Sequence, residues 1–255
     1  MKNYIFICLA AISILSCKNE TKKGTDKITK QEVVSENFPS ELGKVFGAHG
    51  GINVWRKARI LSFNIMDEVH TTDLYSRKIV VNHKDYSLGF NGETVWLKEA
   101  KEGNFKSNKD FYYNLSFYFY AMPFVLADDG ITYTKVPDLK FEGNLFPGYK
   151  ISYASDKGTS PEDNYIIYYN PETYQMEWLA YTVTFNSKKP SEKYNLIRYN
   201  SWENSTGLLL PKSIAWYNKD DSGNPTEQAR PSTQFTLPLV SQEKLADSFF
   251  EKPMK

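Results

Sequence analysis

Residues 165–185 read YIIYYNPETYQMEWLAYTVTF. Two runs rich in Tyr, Ile, Trp and Leu flank Asn170-Pro171-Glu172-Thr173, and turn formers between aromatic and β-branched runs predict a hairpin. Working outward, the same rhythm recurs in both directions. Upstream, Leu61, Phe63 and Ile65 alternate with Ser62 and Asn64 as a half-buried strand, and Tyr75, Ile79 and Val81 alternate around Arg77 to His83. Asn91-Gly92 predicts a two-residue turn between strands at 86–90 and 94–97. Short strands follow at 132–134, 140–143 and 149–153, and downstream of the hairpin at 192–202, 209–217 and 234–237. About eleven antiparallel strands at this spacing predict a mainly β domain, a curved antiparallel sheet or half-open barrel.

Two segments break the strand rhythm. Ser40 opens a helical pattern through Leu42, Val45 and Phe46, interrupted at Ala48-His49-Gly50-Gly51 and resumed by Ile52, Val54 and Trp55. Farther on, Phe111, Leu115, Phe119 and Met122 fall at helical steps and predict one amphipathic helix ended by Pro123. Helices so placed would close the concave side of the sheet. With no internal repeat and no composition break, residues 38–255 read as a single domain.

Composition excludes several functions. The 255 residues carry 31 basic and 30 acidic side chains, so there is no basic footprint for nucleic acid and no strong charge toward acidic surfaces. The 18 Tyr, 16 Phe and 5 Trp argue for packed pleated surfaces rather than disorder.

The N-terminus carries the sharpest motif. Residues 1–17, MKNYIFICLAAISILSC, place Lys2 before an apolar run that is short for a bilayer span and ends in Ser16-Cys17. A small residue before a cysteine in that position resembles the lipobox of bacterial lipoproteins. The resemblance implies cleavage before Cys17, a signal peptide over 1–16, and acylation of Cys17 with diacylglycerol and an amide-linked chain such as palmitate. Several acyl chains on one residue anchor a protein stably to a membrane. Cys8 would leave with the signal peptide, so the mature domain would hold no free thiol for disulfides, nucleophilic catalysis or zinc. Residues 17–37, polar, charged and without aromatics, read as a flexible tether.

The whole order is lipobox, tether, the Ala48-His-Gly-Gly helix break with Trp55, antiparallel strands, an aromatic helix into Pro123-Phe124, the hairpin beginning Tyr165-Ile-Ile-Tyr-Tyr-Asn-Pro171, and Gly207-Leu-Leu-Leu-Pro211-Lys. This order resembles lipoproteins of Bacteroidota and, more distantly, the lipoprotein carrier and receptor proteins of the Lol pathway. That resemblance implies a half-open barrel of about eleven strands with an apolar cavity for acyl chains. It also implies a place in the bacterial cell envelope, at the outer membrane facing the periplasm.

Signatures of catalysis are sparse. His49-Gly50-Gly51 is similar to an oxyanion-hole turn, yet no G-x-S-x-G elbow accompanies it, and a helix break with close backbone packing explains it better. His70 reads as lying near a turn and His83 near a strand end, without zinc spacing. Asp128-Asp129-Gly130 reads as a turn, while Glu41, Asp67, Glu68, Glu142, Glu177 and Glu203 are scattered. No glycine loop for phosphate or dinucleotide is present. The expectation is therefore a non-enzymatic monomer without metal or cofactor, attached to the membrane through Cys17, that takes a lipid or acylated partner. The alternative is an envelope carbohydrate-binding module or a carboxylate-dependent hydrolase. Alternation alone assigns Phe63, Ile65, Trp96, Phe119 and Trp178 to the concave lining.

Overall fold

The computed structural model describes residues 38–153 and 163–254; Cys17, the signal segment and the tether lie outside the described residues. Helices α1 (Ser40–Ala48) and α2 (Ile52–Lys57) precede a first meander of five strands, β1 (Ile60–Ile65), β2 (Glu68–Asp73), β3 (Ile79–Asn82), β4 (Tyr86–Phe90) and β5 (Val95–Glu99). A helical strap follows: α3 (Lys109–Tyr112), α4 (Leu115–Tyr120) and a 3-10 turn at Phe124–Ala127. The second meander is β6 (Ile131–Phe141), β7 (Asn144–Tyr153), β8 (Asn164–Tyr169), β9 (Met176–Tyr181), β10 (Asn195–Ser205) and β11 (Leu208–Lys219). Last come β12 (Pro225–Gln228), β13 (Thr233–Ser241) and a 3-10 turn at Asp247–Phe250.

The strands form one antiparallel sheet ordered β5-β4-β3-β2-β1-β13-β11-β10-β9-β8-β7-β6, with β12 paired to β11 beside this path. The sheet is open. β13 joins the two meanders by pairing β1 on one side and β11 on the other. The sheet's edges are β5 and β6, the strands that the strap connects in sequence, so the strap crosses the sheet from edge to edge.

Period-two alternation divides the side chains between two faces. Leu61, Ile79, Val81, Leu179, Ile197, Tyr199 and Phe235 belong to the main core together with α1, α2 and the strap. Their sequence neighbours serve two separate clusters. Ile60, Val80 and Trp96 are covered by Phe250 of the C-terminal turn, whereas Trp178, Ala180 and Leu196 pack with Leu139, Phe141, Phe146 and Tyr168.

Five contacts stitch the strap across the main core. Lys109 Nζ donates to the Val95 carbonyl at 2.9 Å, and Tyr112 Oη donates to Glu68 at 2.8 Å. Tyr199 Oη reaches the Phe119 carbonyl at 3.0 Å, Tyr133 Oη the Leu126 carbonyl at 2.7 Å, and Arg77 the Asp128 carboxylate.

The structure corrects several expectations. The open antiparallel sheet is as expected and has thirteen strands; residues 131–141 form one strand where two short ones read from the sequence, while β2 and β12, with no apolar alternation to reveal them, are added. The helix expected through Phe111 and Met122 is two short helices. Asn108 caps the first by accepting from the Asp110 N–H at 2.9 Å, and the chain restarts after Asn114. The buried residues Tyr113, Phe117, Phe119, Tyr120 and Met122 surround the strap rather than forming one stripe, as expected of a segment enclosed in a core. His70 lies within strand β2, shortly after the turn at Met66-Asp67.

Candidate functional site

Turn chemistry builds the site. Between β2 and β3 the buried Asp73 accepts the backbone N–H groups of Tyr75 and Ser76, each at 3.0 Å, and the Arg59 Nε–H at 2.7 Å. Burial alone would raise the Asp73 carboxyl, but the Ser76 and Tyr75 amides and the Arg59 guanidinium outweigh it and hold it below the ordinary range. This Asx-type turn presents Arg77, at φ 57°, toward the end of the strap. Arg77 Nη2 donates to both Asp128 oxygens, at 2.8 and 2.7 Å, and the guanidinium lies 5.2 Å from the Phe117 ring centroid. Burial pushes the Asp128 carboxyl above its usual value, and the Arg77 charge opposes that rise without cancelling it.

Two clefts meet at this ion pair. The larger, about 350 Å³, runs between the sheet and the strap along Ile79, Phe90, Tyr113, Phe117 and Tyr118. The smaller, about 190 Å³, lies on the α2 side along Ile52, Trp55, Leu74, Tyr75 and Phe124. Arg77 and Asp128 line both. The larger cleft falls within the lower range of small-molecule pockets, which are mostly apolar with a few oriented polar groups.

A second polar cluster lies on the same sheet face. Glu68 is buried and accepts from Tyr86 Oη at 2.6 Å, Tyr112 Oη at 2.8 Å and His70 Nε2 at 2.9 Å. Burial would raise the Glu68 carboxyl, but these donors outweigh it and hold it below the ordinary range. Burial, with the adjacent Glu68 charge, pushes both tyrosines far above their usual value. The His70 ring stacks on Phe63, 5.0 Å between centroids. The cluster has the geometry of an anchor: a sheet carboxylate holding α3 through Tyr112.

His49 has a comparable structural part. It is fully buried, accepts the Met176 N–H through Nε2 at 3.0 Å, and faces the Leu209 carbonyl through Nδ1 at 3.4 Å. Burial lowers its pKa to about 4, so the ring is neutral. His49 joins the α1–α2 corner to β9 and β11. Among the described residues, no three His, Cys, Asp or Glu side chains gather to hold a metal ion.

Of the residues assigned from sequence to a concave lining, Phe63 and Phe119 lie in the main core and Ile65 packs against it. Trp96 and Trp178 lie in the two other clusters, because strand alternation puts them opposite Leu97 and Leu179. Trp96 Nε1 donates to the Phe250 carbonyl at 2.8 Å. None of the five lines either cleft. Arg77 and Asp128, 51 positions apart, carry no spacing signal, and Asp128 is legible only as part of a turn.

Over residues 3–224 the chain matches the model of a family of unknown function, DUF6503. The chain belongs to that family. No protein of curated function matches this DUF6503 member in sequence. Among solved structures it is similar to a LolA superfamily protein from Nitrosomonas europaea, with a TM-score of 0.40 and 8% identity over 82% of this chain and 96% of that one. It is similar to a DUF1329 family protein from Desulfovibrio piger, with a TM-score of 0.40 and 9% identity over 81% of this chain and 95% of that one. A domain described as that of an outer membrane lipoprotein-sorting protein from Vibrio parahaemolyticus matches with a TM-score of 0.33 and 9% identity, over 80% and 97%.

Proposed function

We propose that the protein is a non-enzymatic, monomeric lipoprotein of the bacterial cell envelope that binds a lipid or other apolar ligand beside its helical strap. In this reading residues 1–16 are a signal peptide, Cys17 carries the lipid, residues 17–37 tether the anchor, and residues 38–255 bind. The lipobox supports a membrane anchor, and the sequence's resemblance in layout to Lol-pathway proteins is the ground for placing it at the outer membrane, facing the periplasm. The observation that carries the binding reading is the pair of aromatic-lined clefts meeting at Arg77–Asp128, where the strap crosses the sheet. A concave, mostly apolar space with a shared ion pair, Arg56 on the smaller side and Asn114 on the larger, is what an amphiphile needs.

The carbohydrate alternative needs open tryptophan faces, and the structure does not favour it. Trp55, Trp96 and Trp178 are buried. Trp202 is half-buried, packed edge-on by His49 and stacked with Tyr199, and half-buried Trp216 carries Arg230 over its ring at 3.7 Å. The test is native mass spectrometry with lipid extraction on the domain from residue 38, purified without detergent. A bound, extractable lipid supports the reading. A ligand-free protein that also fails to bind a fluorescent fatty acid overturns it.

A further inference from the structure

The two clefts share one cation, and its donors are not used up. Asp128 engages only Nη2 of Arg77. Nη1 is sealed from solvent and has no hydrogen-bond acceptor among the described residues. A guanidinium offers five N–H donors in a rigid fork that matches a carboxylate. Buried donors are nearly always paired, and this one is left without a partner on the cation that lines both clefts.

We propose that the clefts take a single-chain amphiphile with one carboxylate, its head at the Arg77 guanidinium, which turns to bring Nη1 to the carboxylate, and its chain along Phe90, Tyr113 and Phe117. The proposal rests on the apolar-binding reading above and narrows it to a ligand class. Size sets the number of chains. If a methylene occupies about the volume of a water in the liquid, ~30 Å³, the larger cleft of about 350 Å³ accepts about a dozen carbons, which is one acyl chain. Charge sets the head. The nearby Asp128 carboxylate repels a dianion such as a phosphate monoester more than a monoanion. A cationic head would face Arg77 itself. A neutral alcohol would gain the apolar contacts but only an uncharged hydrogen bond, and charge-assisted bonds are about twice as strong.

The test is calorimetric titration of the full chain carrying Cys17→Ser, without detergent, with laurate, dodecanol and dodecyltrimethylammonium. The expected result is one laurate per chain, bound at least tenfold more tightly than dodecanol, with the ammonium weakest. In Arg77→Gln the laurate-to-dodecanol ratio falls to about one. Because that change also strips Asp128 of its partner, Arg77→Gln/Asp128→Asn is measured beside it and gives the same ratio with the local charge balance kept. If laurate and dodecanol bind the unsubstituted site equally, the carboxylate inference is overturned while the apolar-binding reading stands. If none of the three binds, both are overturned.

Discussion

His49 makes the stability of the domain depend on pH in a way that can be worked out from its surroundings. The ring is enclosed, with Nε2 accepting from Met176 and Nδ1 directed at Leu209, and burial lowers its pKa from 6.5 to about 4. In the unfolded chain the same ring takes a proton near pH 6.5, so between pH 6.5 and about 4 the unfolded state binds more protons than the folded one. Stability therefore rises with pH across that window and falls on acidification. The shift of about 2.5 units, at about 1.36 kcal/mol per unit, corresponds to about 3 kcal/mol lost once the pH is below about 4. That is a large share of the 5–15 kcal/mol typical of a domain. The assay is urea unfolding from about pH 7.5 to about pH 4.5 for the parent and for His49→Gln, whose side-chain oxygen can still accept from the Met176 N–H but does not titrate. The parent should lose about 2–3 kcal/mol relative to the variant over that range. Parallel pH profiles for the two proteins would refute the account of a ring buried neutral.

Three further outcomes follow from particular contacts. Gly50→Ala should destabilise by about 3 kcal/mol, combining left-handed strain and overpacking, because φ is 106° and a Cβ would lie 2.0 Å from the Gly207 carbonyl oxygen; Gly47→Ala, in α1 with nothing within 4 Å, should instead stabilise by about 0.5–1 kcal/mol. Thermal melts of the two variants check the contrast. Glu68→Leu leaves Tyr86, Tyr112 and His70 without their acceptor, and should cost about 3–5 kcal/mol in chemical denaturation; an unchanged midpoint would refute its part as an anchor. Backbone amides of residues 115–127 should exchange hydrogen no faster with laurate bound than without, measured by mass spectrometry, since the proposed ligand lies beside the strap rather than in its place.

What the sequence revealed and what it hid have physical reasons. Hairpins with strong turn chemistry were legible: Asn91 accepts the Glu93 and Thr94 amides, and Asn170 accepts those of Glu172 and Thr173. The break at His49-Gly50-Gly51 was legible because only glycine takes those positive φ values easily. Strand β2 was not. Its core-facing positions hold Glu68, His70 and Thr72, so apolar alternation, the signal for a half-buried strand, is missing where the strand is most buried. Trp96 and Trp178 show the opposite difficulty. Alternation separates the two faces of a strand but does not say which one meets the strap when both are apolar. Here the second face is covered too, by Phe250 at one end and by Phe141 and Phe146 at the other. Arg77 and Asp128 meet only because the strap returns across the sheet, which is a property of topology and leaves no local trace.

The strap also decides where a ligand can go. A half-barrel whose interior were empty would take acyl chains along its full concave face, but this interior is filled by Phe117, Phe119, Tyr120, Met122, Phe124, Val125 and Leu126. At about 1.5–3 kcal/mol for each buried side chain, lifting these seven out costs about 10–20 kcal/mol, before the five stitching contacts are counted. A twelve-carbon chain returns about 0.8 kcal/mol per methylene, or about 9 kcal/mol. One chain does not offset displacement of the strap. Several chains on one molecule would reach that scale, but a bound strap leaves them no room. A single-chain ligand therefore gains most by leaving the strap where it is and filling the space along its flank. That space begins at Arg77, where the strap's last turn meets the sheet and one guanidinium nitrogen still lacks an acceptor.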